Sequence, residues 1–497
     1  MSKDSNTDNS ATDPEDGYRS YPEIVWGQFR QYPLSYASLM GIGVLFLIAL
    51  VVPAFALNSP FLLIVPESVP ESALRQYVQG GDAVQALYGT SFPWFYALFD
   101  LNFFENNIDI FFNFLLFTIP LNVVVWFVYQ TVADFESDRA FVEARGRFIG
   151  VSLGLQVTAV IAVLIVATSS GGTVDLGTYA IYSLPANVLI GVLWVYLVDP
   201  PTDALRNQTI KNFVYFSLAI HAVTLATFLG FDFRQPYVNY RGIADLEGVQ
   251  AVFPFFDFSY RNINIGAQMT SQGPSWAHWL GTDAQGRDVF VRLLYGTRIS
   301  LTIGIIAMAI ATAIGMFVGS LGGYFGGWVD AIVLRVIEVF LVFPAFYLIL
   351  TLSGFVKEPS VFYVMGIIGI VYWTGIARLV RGEFLRLREE DFVQAAKALG
   401  LPERRIIFRH VLPNALGPVL VNVTFGIAGA ILFEATISFL GVGDPTAPTW
   451  GQILNGAREN YRLILMLAPG FALFVTITML NLVGEGIRDA MDPKLRK

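Results

Sequence analysis

Apolar runs of bilayer-spanning length alternate with short polar connections along most of this chain. A helix crosses a bilayer core with about 20 mostly apolar residues. Runs of that kind stand at 38–57, 110–132, 148–168, 178–198, 212–231, 298–322, 329–352, 361–380, 414–440 and 463–484. The pattern predicts an all-α integral membrane protein with about ten transmembrane helices. Residues 1–30 are polar, acidic and rich in Ser, Asn and Asp, and read as a disordered tail rather than a signal peptide. Residues 58–108 carry Pro60, Pro66 and Pro70, then an aromatic stretch (Trp94, Phe95, Tyr96, Phe99) suited to the membrane interface. A boundary falls near 232. It separates a block of five spans (31–231) from a polar loop (232–297) and a second set of five spans (298–490).

Composition agrees. Charged residues are 14% of the chain, against about 25% in a soluble domain. Net charge is −8, and several acids (Asp4, Asp8, Asp13, Glu15, Asp16) lie in the tail, so the total says little about partners. No basic composition points to nucleic acid. The chain has no cysteine, which excludes disulfides, thiolate catalysis and Cys-ligated metals. His221, His278 and His410 are scattered, so no metal site is expected. No catalytic cluster of acids and bases stands at a common depth, so the chain reads as non-enzymatic. No Lys follows a Gly, so no Walker A loop is present, and any coupling to ATP must come from another chain.

Basic residues in short loops orient the spans. With the N-terminus inside, the 133–147 loop (Arg139, Arg145, Arg147), the 199–211 loop (Arg206, Lys211) and the strongly basic 381–413 segment are cytoplasmic. The C-terminal Arg488, Lys494, Arg496 and Lys497 then also fall inside. Loop 232–297 is outside despite five arginines, because the bias weakens in long loops.

The stretch 391–414, DFVQAAKALGLPERRIIFRHVLPN, is charged, helix-prone and set between two apolar runs. Phe392, Ala395, Ala396 and Leu399 fall at helical spacing on one face, and Gly400 is placed to end the helix in a left-handed conformation. A second short segment sets Ile406, Ile407 and Val411 against Arg404, Arg405 and Arg409. The reading is a helix–turn–helix at a membrane surface.

This stretch resembles the EAA loop of importer-type ABC permeases. Ala395, Ala396, Gly400, Leu412 and Pro413 match in register, while Gln394 stands where Glu is usual and His410 where Ile is usual. The resemblance implies that 391–413, with Gln394, Arg404, Arg405, Arg409 and His410, docks a separate ATPase subunit. Residues 281–300, GTDAQGRDVFVRLLYGTRIS, are similar to a signature ahead of the first core span of dipeptide and oligopeptide permeases, carried here by Gly281, Thr282, Asp283, Gly286, Arg287, Asp288 and Arg292. Gly281 and Gly286 suit turns. From 288 on, Val289, Phe290, Leu293 and Leu294 make an apolar face opposite Arg287, Asp288 and Arg292, as in a short helix lying on the outer surface. Asp283 and Asp288 are spaced to pair with Arg287 and Arg292, or to cap that helix and fix its depth.

Further along, GSLGGYFGGWVD (319–330) permits close helix approach or a tight cytoplasmic turn. Arg335 and Glu338 can pair across three residues, whereas Asp330 and Arg335, five apart, share no face. Pro344 is placed to kink its helix. Glu434 lies near the outer end of its span, in a string similar to one in peptide permeases; facing the translocation path and closing an outer gate both fit.

The resemblance covers roughly 275–495 and implies a five-helix type I (MetI-like) importer core. Run 38–57 would be the usual first span and about 110–231 an added four-span block. The implied function is a permease subunit of an ATP-driven importer of peptides or similar solutes, in a prokaryotic plasma membrane with both termini cytoplasmic. Implied partners are a second permease subunit, two ATPase subunits that bind ATP and Mg, an extracytoplasmic binding protein and membrane lipids. The rival is a secondary transporter acting alone. It calls for intramembrane acid or His relays and inverted repeats, which this sequence does not display.

Overall fold

A computed structural model describes residues 21–79, 84–104, 107–132, 152, 154–167, 174–198, 203–228, 233–256, 258–261, 270–356, 360–460 and 463–492. Helix dominates, as the hydrophobic runs require. The first half contains α1 (Tyr21–Phe29), α2 (Pro33–Phe55), α3 (Asn107–Val132), α4 (Gly154–Ala167), α5 (Leu176–Val198) and α6 (Asp203–Phe228). The second half contains α7 (Val289–Phe325), α8 (Gly327–Val342), α9 (Ala345–Gly354), α10 (Val361–Leu387), α11 (Asp391–Ala398), α12 (Glu403–Ile406), α13 (Leu412–Phe439), α14 (Trp450–Asn460) and α15 (Leu463–Met491). Among the described residues, six helical stretches are long and apolar enough to cross a membrane: α2, α3, α7, α10, α12 continued through to α13, and α15. The pair α8–α9, bent by 77°, makes a seventh if counted as one span. The 133–147 loop and residues 1–20 of the tail lie outside the described residues.

Three expectations change. The polar tail does not run to residue 30, because Tyr21–Phe29 is helical and Phe29 is buried against Val483 and Ala490. The physical reason is the apolar content of the helix, with Val25 and Phe29 one turn apart on the packed side. Residues from 289 do not form a separate surface helix. They are the first turns of the 37-residue α7, and Val289, Val291 and Arg292 are buried. Run 329–352 is not a kinked helix but two helices, because Phe343 is extended and Pro344 starts the second one. The residue before a proline is pushed toward extended backbone, and Phe343 (ψ 126°) obeys that rule.

The chain forms two compact units. One gathers the described residues up to 45, 300–444 and those from 469 on. Its α7 carries Gly315, Gly319 and Gly323, which lie against α10: a Cβ at Gly319 would sit 2.5 Å from the Ala377 carbonyl oxygen, and one at Gly323 2.7 Å from that of Arg381. Small residues four apart allow this backbone approach. Asp330 of α8 accepts from the Arg381 guanidinium of α10 through both oxygens, Nη2 to Oδ2 at 2.7 Å.

The other unit holds residues 46–299 and 445–468. Here β1 (Leu62–Val65) pairs antiparallel with β2 (Gly89–Ser91) and β3 (Gln250–Val252), in the order β2-β1-β3. Leu63 and Val65 of β1 face a small core with Val69, Leu74, Leu87, Val238 and Ile243. The aromatic stretch expected at the interface is partly interior: Phe99 is buried against Phe114 and Phe228, and the Trp94 indole donates to the Pro53 carbonyl at 2.8 Å, while Tyr96 stays exposed. Arg298 is fully buried, with Nε donating to Ala49 O (2.5 Å) and Nη1 to Asp109 Oδ1 (3.3 Å). The Tyr260 hydroxyl donates to Asp109 Oδ2 at 3.1 Å, so this buried charge pair is satisfied from several sides.

Candidate functional site

The segment after α10 is built by local rules. Glu390 is extended, and the carbonyl of Pro402 accepts the first bonds of α12. Helix α11 ends at Gly400 with φ +70°, the left-handed geometry expected for it. Gly400 N–H donates to Lys397 O at 2.9 Å and Leu401 N–H to Ala396 O at 3.1 Å, the paired bonds of a Schellman cap. After α12 the backbone widens into a π turn (Ile407–Val411), then runs into α13 without a break. Leu412 and Pro413 are the first residues of α13, directly after the π turn.

Burial divides α11 differently from the expected face. Val393 and Ala396 point inward, whereas Phe392 and Ala395 are exposed and Leu399 is 81% exposed. Helical spacing alone places Phe392, Ala396 and Leu399 together, but the inner surface takes the smaller Val393 and Ala396 and turns the larger apolar side chains outward. Gln394 Nε2 donates to the Arg388 carbonyl at 2.9 Å, closing the turn between α10 and α11. Lys397 lies 5.7 Å from the centroid of the Tyr324 ring. On α12, Ile406 is buried and Arg404 and Arg405 are exposed; Arg409 is exposed and His410 half-buried on the π turn, where the His410 carbonyl accepts from Asn414 Nδ2 at 2.6 Å. The segment therefore presents apolar Phe392 and Leu399 together with three exposed arginines on a short, anchored pair of helices. Such a surface can hold another protein through buried apolar contacts rimmed by charge.

The 281–292 signature is a turn wound around one carboxylate. Asp283 Oδ1 accepts from the backbone N–H groups of Gln285 and Arg287, each at 2.9 Å, and Oδ2 from Arg287 Nε at 2.8 Å. Thr282 is buried, and its hydroxyl oxygen accepts from Gln272 N–H at 2.9 Å. Gly281 (φ +79°) and Gly286 (φ +75°) supply left-handed positions, and a Cβ on Gly281 would strike the Gln272 carbonyl at 2.3 Å. Asp288 pairs with neither arginine. Its Oδ1 accepts from Val291 N–H at 2.7 Å, capping α7, and its Oδ2 lies 2.7 Å from His278 Nδ1. Burial pushes the Asp288 carboxyl above its ordinary value, against the pull of these hydrogen bonds. Arg292, expected on a polar face, is 2% exposed, with Nη2 donating to Gln452 Oε1 at 2.8 Å and Nε 3.8 Å from Asp283.

The remaining candidates are dispersed. Arg335 and Glu338 pair at 2.7 Å on an exposed face of α8. Pro344 marks the α8–α9 break. Glu434 is buried in α13 and accepts from the Ser438 hydroxyl at 2.6 Å. Sequence reasoning missed Gln452, the partner of Arg292, and both long-range pairs, Asp109–Arg298 and Asp330–Arg381. An isolated acid at the edge of an apolar run, as at Asp109, was the available signal for one of them. Among the described residues, no group of His, Asp and Glu could hold a metal ion.

Residues 311–497 match the family model described as binding-protein-dependent transport system inner membrane component. The dipeptide transport system permease protein DppC of Alkalihalophilus pseudofirmus is 40% identical over 241 residues, 48% of this chain and 78% of that protein. The glutathione transport system permease protein GsiD of Pectobacterium atrosepticum is 38% identical over 242 residues, 48% of this chain and 78% of that protein. The oligopeptide transport system permease protein OppC of Haemophilus influenzae is 38% identical over 247 residues, 49% of this chain and 78% of that protein. With that much of each relative spanned, the chain belongs to the binding-protein-dependent transport system inner membrane component family and is a multi-pass permease subunit of an ABC importer.

Proposed function

We propose that this permease imports peptides and that residues 391–413 are the surface through which a separate ATPase drives it. The peptide reading rests on the relatives, whose names specify dipeptide, oligopeptide and glutathione transport. The observation that carries the coupling reading is the outward turn of Phe392 and Leu399 on a helix anchored by Val393 and Ala396. ATP and Mg bind on two partner ATPase subunits, this chain itself hydrolyses nothing, and a second permease subunit completes the pore. An extracytoplasmic binding protein delivers the substrate. Both termini and the 391–413 segment lie in the cytoplasm, and the 232–297 segment lies outside. The ten apolar runs are ten spans, five of them (298–490) forming the transport core.

Mechanically, ATP binding draws two ATPase subunits together, and the docked segments move with them. The 37-residue stretch from Glu403 to Phe439 is helical throughout, so displacement at α12 reaches the depth of Glu434 along one rod. ATP must favour one arrangement over the other for this to shift anything. Glu434, Glu338 and Pro344 are the gate candidates: Glu434 at the far end of that rod, Glu338 and Pro344 beside the break between α8 and α9.

The test is uptake of a labelled dipeptide into vesicles holding the complete transporter. Gly400→Pro removes the N–H that caps α11 and demands a φ that position does not have. Ala396→Glu forces a charge into a site only 6% exposed. Both variants should insert normally and lose ATP-driven uptake. Normal uptake by both, with the ATPase still co-purifying, would remove this segment from the mechanism.

A further inference from the structure

The turn at 281–292 and helix α14 enclose a cavity of about 140 Å³, walled in part by Asp283, Arg287, Arg292, Gln452, Asn455 and Gly456. That volume suits a small oxyanion or a few waters. Its charge is unbalanced. Two guanidinium groups face one carboxylate, and Asp283 has already given three acceptor positions to Gln285 N–H, Arg287 N–H and Arg287 Nε.

Arg292 is the group left short. It carries five N–H donors. Among the described residues they meet one hydrogen-bond acceptor, Gln452 Oε1 at 2.8 Å, while Asp283 Oδ2 lies 3.8 Å from Nε, beyond hydrogen-bond reach. The side chain is 3% exposed. A buried cation without a full partner is costly, and a counter-ion in the adjoining space removes that cost. A planar guanidinium fork matches the two oxygens of a carboxylate. Gln452, whose carbonyl oxygen already faces Arg292, keeps its amide N–H₂ as a further donor.

We infer that this cavity is a carboxylate-binding site with Arg292 as its principal donor, and that on the peptide-import reading its ligand is the C-terminal carboxylate of the peptide. The identification of the peptide rests on that reading; the preference for a carboxylate does not. Every peptide substrate carries that group whatever its side chains, so the site would recognise the class and not the sequence.

The experiment uses the purified full-length chain in lipid nanodiscs, without ATPase or uptake, and reads thermal unfolding. The probes are sodium acetate, glycylglycine and glycylglycinamide, each against sodium chloride at equal ionic strength. Expected is a rise of about 2 °C or more with acetate and with glycylglycine, the latter at lower concentration, and none with the amide. Arg292→Gln should lose the response. Because Arg292→Gln also changes a buried contact, Gln452→Glu is the second test: it places a fixed carboxylate against Arg292, so it should melt higher than the parent and ignore acetate. Identical melting in all probes, or a Gln452→Glu variant that melts lower and still responds, overturns the site. A response to acetate and equally to the amide overturns the peptide C-terminus as ligand. None of these outcomes touches the uptake assay, so the site and the import reading fail separately.

Discussion

Truncating Leu399 to alanine isolates docking from folding. The side chain loses three carbons, and at about 0.8 kcal/mol per buried CH₂ complete burial in an interface is worth about 2.4 kcal/mol. Leu399 is 81% exposed in this chain, so about 2 kcal/mol remains to be gained on docking. At about 1.4 kcal/mol per decade, Leu399→Ala should weaken binding of the cognate ATPase about 30-fold. Nothing comparable is lost from the permease itself, where a substitution at so exposed a site changes stability by less than about 0.5 kcal/mol. Val393→Ala is the contrasting variant: Val393 is fully buried, and losing two carbons there costs roughly 1.6 kcal/mol of folding stability. The assay is titration of purified ATPase onto the permease in nanodiscs, paired with thermal unfolding of each variant. Leu399→Ala should shift the first measurement and not the second. Binding within twofold of the parent would refute the idea that this ridge is the docking surface.

Three further outcomes follow from the packing. Arg298→Met or Asp109→Asn alone should destabilise the protein by about 3–5 kcal/mol, since each leaves the other group buried without its counterpart, and the double variant should recover much of that loss in a denaturation cycle. Gly319→Leu should force α7 away from α10, since even a Cβ there meets the Ala377 carbonyl oxygen at 2.5 Å; a fall in unfolding temperature and loss of uptake are expected, with Ser320→Ala as the neutral control. Asp288, raised by burial above its ordinary value of 3.8, contributes stability that is full below about pH 4 and lost as pH rises through its folded value. Measured against Asp288→Asn across that range, the parent should therefore lose stability relative to the variant as pH increases.

Local chemistry was readable from the sequence. Gly400 ends α11 because a left-handed residue is needed there, and Gly281 and Gly286 turn the chain for the same reason. Residues three apart, Arg335 and Glu338, pair as spacing requires. The glycines of 319–330 indicate close approach but not the partner, since Ala377, which lies against Gly319, is more than fifty residues further along the chain. Which face of α11 is buried is not legible in the sequence for a related reason. Phe392 and Leu399 look like core residues on hydrophobicity, yet this chain turns both outward, which the proposed docking role would explain. Burial in a subunit and burial in an assembly draw on the same residue types, so sequence periodicity cannot tell them apart.

The same limit governs the charges. A sequence reading pairs Asp283 and Asp288 with Arg287 and Arg292, because opposite charges lie at reachable spacing. The outcome depends on which acceptor positions are already taken. Asp283 closes its own turn by accepting two backbone N–H groups, and Asp288 caps α7 by accepting Val291 N–H. Backbone groups at fixed positions need no side-chain entropy to hold them, so they take the carboxylate oxygens first. Arg292 is left with a neutral amide from 160 residues away, and its charge is balanced by nothing else at hydrogen-bonding distance among the described residues. Counting charges along the chain gives a neutral cluster, two acids and two bases; the cavity wall takes both bases and only one of the acids, because Asp288 is turned toward Val291 N–H and His278.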